Sequence, residues 1–139
     1  MDIIKHLEDL PNYQAQADEP YMNCRQIEHF KNKLIAWKKL IHSEIEETIQ
    51  TLKEEEKQTT DILDRASQEH NLSVELRTRD REHKLLKKID DALMRIEFGN
   101  YGYCKETGDE IGVERLDARP ISDLCIQAKK IMEKQENRY

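Results

Sequence analysis

The 139-residue sequence is short of the residues that make turns. It holds 4 glycines and 3 prolines, and between positions 21 and 98 it has neither. An all-β fold with many tight connections needs more of both. Aromatic residues make up 6% and all hydrophobic types together 37%, a share that the charged residues equal. Apolar residues this dilute line a narrow seam more readily than they fill a large core. No apolar run approaches the roughly 20 residues that a bilayer span requires, so no membrane partner is expected. The opening Met1-Asp2-Ile3-Ile4-Lys5-His6 has no basic segment leading into an apolar run, and no secretory leader is expected. Cysteines stand only at 24, 104 and 125, an odd count that argues against a disulfide framework and for a cytoplasmic protein. A basic excess is missing too. Against 29 acidic residues there are 23 basic ones, a net charge of -6, whereas a generic nucleic-acid binder draws its affinity from phosphate neutralisation. Nor is there a nucleophile–base pair, a phosphate loop or a complete metal cluster, so an enzyme is not expected.

What remains is helical patterning. Residues 1–22, interrupted by Pro11 and Pro20, read as an irregular lead-in. Asn23 followed by Gln26 has the form of an N-cap with its capping-box partner. Ile27, Phe30, Leu34, Trp37 and Ile41 then alternate in steps of three and four, the stripe of a coiled coil. The seam thins through Ile45, Ile49 and Leu52, lapses at Gln58-Thr59-Thr60-Asp61, and resumes weakly at Leu72 and Leu76. It strengthens at Leu86, Ile89, Leu93 and Ile96 and stops at Phe98-Gly99-Asn100. The expected fold class is mainly α. Residues 23–98 form a long antiparallel helical hairpin, a coiled coil with its tip near 57–66. Pairing of two such helices between chains remains an alternative by periodicity.

The texture changes at residue 99. All four glycines fall between 99 and 112. Tyr101–Cys104 and Ile111–Val113 read as short strands joined by a turn at Thr107-Gly108-Asp109. Ser122 or Asp123 is placed to cap a C-terminal helix. Residues 99–139 are thus a small knob packed on Tyr101, Tyr103, Ile111, Leu116 and Leu124. Cys104-Lys105-Glu106-Thr107 and Cys125-Ile126-Gln127-Ala128 have the frame of two zinc knuckles, with half the ligands replaced. Structural zinc takes four thiolate or imidazole ligands. Thr107 and Ala128 do not supply them, and the five histidines all lie at or before position 83. The knob is read as a degenerate zinc finger held by packing, with no metal expected.

Ordered along the chain are Asp64-Arg65-Ala66, Glu75-Leu76-Arg77-Thr78-Arg79-Asp80-Arg81-Glu82, Phe98-Gly99-Asn100-Tyr101-Gly102-Tyr103-Cys104, Glu110-Ile111-Gly112 and Arg115-Leu116-Asp117-Ala118-Arg119-Pro120. From about residue 21 to the C-terminus the chain resembles the DksA/TraR family, in its two-cysteine form. The resemblance implies a regulator that binds RNA polymerase without reading promoter DNA itself. Its coiled coil would enter the secondary channel and change the stability of promoter open complexes, repressing ribosomal RNA promoters and activating others. It also implies residue roles. Asp61, Asp64 and Ala66 would form the tip near the polymerase active centre, and Arg81 would dock against the polymerase rim. Leu85, Lys88, Arg119 and Lys129 would help form a guanosine tetraphosphate site, the nucleotide being an effector of the stringent response. A monomer is implied as well.

Read from the residues alone, Asp61 and Asp64 are better taken as caps of the second helix and Arg77–Arg81 as a solvated face; the resemblance reverses that preference. Two other readings use the same hairpin. One is a transcript-cleavage factor of the Gre type with paired tip acids. The other is a coiled-coil structural adaptor with no polymerase contact.

Overall fold

The computed structural model describes residues 18–58 and 62–137, without the side chains of 55–58 and 62–64. Its helices are α1 (Cys24–Gln58), α2 (Ile62–Phe98), α3 (Val113–Ala118) and α4 (Ile126–Glu136). The mainly helical expectation holds. Among the described residues no helix is long and apolar enough to cross a membrane. Two compact units divide the chain: residues 1–37 with 88–139, and residues 38–87.

The ends of α1 and α2 follow from local chemistry. The Asn23 Oδ1 accepts the Gln26 N–H at 2.9 Å, and Gln26 Oε1 in return accepts the Met22 N–H at 2.8 Å. One donor left over by the first turn, that of Gln26, and the Met22 N–H just before the cap are thereby satisfied. At the other end Gly99 adopts φ +79°. Its N–H reaches the Ile96 carbonyl at 3.3 Å, and the Asn100 N–H reaches Arg95 at 3.0 Å. These paired bonds stop α2 where the glycine stands.

Within the 38–87 unit the helices are antiparallel: Glu44 lies near Glu82, while Leu52 shares a groove with Arg65 and Leu72. Ile41, Ile45 and Leu86 are buried there. The expected Leu72–Leu76 seam is corrected. Leu72 is 43% exposed and Leu76 48%, because the inward heptad positions of α2 in this unit are Gln68, Glu75 and Glu82, of which Glu82 is buried. A stripe read from leucines alone therefore takes the wrong register.

In the other unit Phe30, Leu34, Trp37, Ile89, Ala92, Tyr101, Ile111, Leu116 and Leu124 are buried. A Leu, Ile or Phe side chain among them contributes roughly 1.5–3 kcal/mol when fully withdrawn from water. Phe30 and Tyr101 meet with ring centroids 5.9 Å apart. Three expectations fail here. The two short strands reduce to a single antiparallel bridge, Tyr103 to Glu110, since Gly102 and Gly112 at φ +91° and +105° turn the backbone out of extended geometry. Tyr103 is 37% exposed, its ring edge-on to Tyr21 at 5.7 Å rather than in the core. The last helix is capped not by Ser122 or Asp123 but by Cys125, whose sulfur accepts the Ala128 N–H at 3.4 Å.

Candidate functional site

Lys88, Arg119 and Lys129 come from the C-terminal third of α2, the C-cap of α3 and the first turn of α4, and they line one cleft of about 250 Å³. Arg119 is placed by a short chain of contacts. The buried Lys33 ammonium donates to the Asp117 carbonyl at 2.8 Å and to its carboxylate at 3.1 Å, and His29 Nε2 lies 3.1 Å from the same carboxylate oxygen. These bonds seat α3 on α1. The Tyr101 hydroxyl donates to the Pro120 carbonyl at 2.6 Å, and burial pushes the Tyr101 pKa up. The Arg119 N–H closes back on the Arg115 carbonyl at 2.8 Å.

Five cations (Lys88, Arg95, Arg115, Arg119 and Lys129) face this cleft against two carboxylates, Asp91 and Asp123. Arg95 and Arg115 are tied to backbone, Arg95 to the Ile121 carbonyl at 3.5 Å and Arg115 to Leu124 at 3.2 Å. Asp123 is engaged by Lys105 at 3.1 Å. Lys88 and Arg119 are exposed and Lys129 is half-buried, and all three line the cleft. Forked guanidinium donors with compact ammonium charges suit a polyphosphate. Leu85 is half-buried in the other unit and does not line this cleft.

Of the tip residues, Asp61 lies outside the described residues. Asp64 stands in the first turn of α2 and Ala66 is exposed on that helix, as is Arg81. The sequence reading passed over a groove of about 370 Å³ lined by Ile49, Leu52, Arg65, Leu72 and Arg79, among others. It also passed over Glu82. Burial raises the Glu82 pKa, and the Glu44 carboxylate adds to the shift.

The knuckle frame folds in spite of its missing ligands. Burial would raise the Cys104 thiol, yet hydrogen bonds from the Thr107 hydroxyl and from the Cys125, Thr107 and Glu106 N–H groups outweigh it and hold it at about 6. Thr107 Oγ1 also lies 3.7 Å from Cys125 Sγ. Zinc does not fit this donor set: two sulfurs are present where a tetrahedron needs four ligands. No group of three or more His, Cys, Asp or Glu is gathered for a metal among the described residues.

A long helical pair and a small unit with the frame of a C4 finger, two of its sulfurs replaced, define a class of bacterial transcription factor. Family models confirm it: "DnaK suppressor protein DksA, N-terminal domain" matches residues 26–96, and "Prokaryotic dksA/traR C4-type zinc finger" matches 99–134. The chain belongs to the DksA/TraR family. It is 50% identical over 125 residues to the RNA polymerase-binding transcription factor DksA of Caulobacter vibrioides, covering 90% of this chain and 88% of that one. The factor of the same name from Escherichia coli K12 is 44% identical over 124 residues, covering 89% and 82%. Among solved structures, transcription factor DksA2 from Pseudomonas aeruginosa superposes with TM-score 0.80 at 38% identity, over 96% of this chain and 98% of that one.

Proposed function

We propose that the chain is a non-enzymatic transcription regulator that binds RNA polymerase in the cytoplasm. It acts as a single copy, with the hairpin tip in the secondary channel and guanosine tetraphosphate as co-effector. Kinship with factors named for polymerase binding supports the partner. The convergence of Lys88, Arg119 and Lys129 on one cleft supports the nucleotide. That convergence carries the reading, because three cations distant in sequence have no structural need to meet. In this mechanism Asp61 and Asp64 deliver negative charge near a magnesium-dependent active centre and alter open-complex stability. Arg81 docks the hairpin on the polymerase rim. The nucleotide phosphates bridge the cleft cations to polymerase.

The test is transcription in vitro from a ribosomal RNA promoter with purified polymerase. Addition of the protein should lower transcript yield, and guanosine tetraphosphate should deepen the repression. Unchanged yield with and without the nucleotide would overturn the proposal.

A further inference from the structure

Cys104 and Cys125 share a side-chain partner, although only the Cys125 sulfur has a structural task, the cap of α4. One hydroxyl, that of Thr107, bonds the Cys104 sulfur and lies 3.7 Å from the Cys125 sulfur. The Cys125 N–H also points at the Cys104 sulfur. Four backbone N–H groups in all, from Glu106, Thr107, Cys125 and Ala128, are directed at the two sulfur atoms. At Cys104 these donors outweigh burial and favour sulfur in its charged, ligating form. Both cysteines are buried, while the neighbouring residues 105–110 are all exposed.

A site with two thiolates and no third ligand selects by coordination number. Zinc needs four ligands and calcium or magnesium need oxygens. Soft ions with a filled d shell accept two sulfurs in a nearly linear arrangement, and thiolates select them. We infer that Cys104 and Cys125 form a two-thiolate binding site for one soft monovalent cation, of which copper(I) is the type. Each S–Cu bond replaces an S–H bond or occupies a sulfur lone pair already free. Any displaced proton leaves to solvent, and neither sulfur nor copper changes oxidation state. The bound ion would tie the Cys104–Thr107 turn to the start of α4.

The experiment titrates the full chain with copper(I), buffered by a chromogenic chelator, anaerobically and with a phosphine reductant that keeps the thiols from oxidising. The exposed Cys24 is replaced throughout (Cys24→Ser). One equivalent should transfer to the protein. Adding Cys104→Ser or Cys125→Ser should abolish transfer, a loss beyond the roughly 10–100-fold that outer-shell changes cause. X-ray absorption of the loaded Cys24→Ser protein should show two sulfur neighbours, a readout that does not depend on the second variants folding. Equimolar zinc should leave the copper in place. Failure of transfer, transfer that survives loss of either thiol, a third or fourth ligand, or displacement by zinc would each overturn the site.

Discussion

Lys33 and Asp117 are 84 positions apart in the chain, and their charged atoms lie 3.1 Å apart with the lysine side chain 2% exposed. A buried ammonium tolerates no loss of its partner. Asp117→Ala should destabilise the unit by about 3–5 kcal/mol, the usual cost of stranding a buried charge. Lys33→Met should cost less, since Asp117 is more exposed and keeps His29. Urea unfolding followed by circular dichroism measures both, and equal losses would contradict the asymmetry.

Tyr21 fastens two glycine turns at once. Its hydroxyl donates to the Gly102 carbonyl at 2.6 Å and accepts the Gly112 N–H at 2.9 Å. Tyr21→Phe should cost about 1–3 kcal/mol by leaving both groups without this partner. Gly102→Ala is expected to be worse, because the added carbon would stand 2.7 Å from Met22 Cγ at φ +91°. Combining it with Met22→Ala should recover the contact but not the backbone strain, a partial rescue visible in the same unfolding curves.

Glu82 gives the 38–87 unit a pH dependence. Its folded pKa is raised, by burial first and by Glu44 second. The folded state therefore holds this proton more tightly than the unfolded state. The stabilisation is complete below the ordinary value of 4.5 and is lost as pH climbs through the raised value. Glu82→Gln should flatten that loss, so the variant gains on the parent as pH rises. Urea midpoints from pH 4 to 8 test it, and parallel curves would refute it.

Tip and cleft should separate genetically. Asp61→Asn with Asp64→Asn should abolish regulation in transcription assays while polymerase binding stays nearly intact. Lys88→Ala or Lys129→Ala should weaken the response to guanosine tetraphosphate and spare regulation without it. A double tip variant that loses binding in proportion to regulation would refute the division.

Completing the finger should restore its ordinary metal. With Thr107→Cys and Ala128→Cys together, four thiolates stand where two did, and the purified variant should carry one zinc per chain by metal analysis. The parent should keep its helical signal in a strong zinc chelator, whereas the variant should lose stability in it.

The long helices were legible because their signals are local. Asn23, Gln26 and Gly99 do at their positions what their chemistry dictates. Phe30, Leu34, Trp37 and Ile41 are buried as their spacing foretold. The knob was less legible, since its shape depends on glycine dihedrals and on Tyr21, a residue from the lead-in. The seam in the 38–87 unit misled because Glu82 occupies a buried position that hydropathy assigns to leucine. The convergence of Lys88, Arg119 and Lys129 has no signature in spacing at all. Only the folded path of α2, α3 and α4 brings them to one cleft, and family likeness stood in for it.

A ribosome making this protein cannot finish the first unit early. Phe30, Leu34 and Trp37 emerge long before Tyr101, Leu116 and Asp117 have been polymerised, because that unit is assembled from residues 1–37 and 88–139. Until then the nascent chain carries a bare apolar face, the kind of surface that aggregates or recruits chaperones. Translation speed across the intervening codons thus sets how long that face stays uncovered.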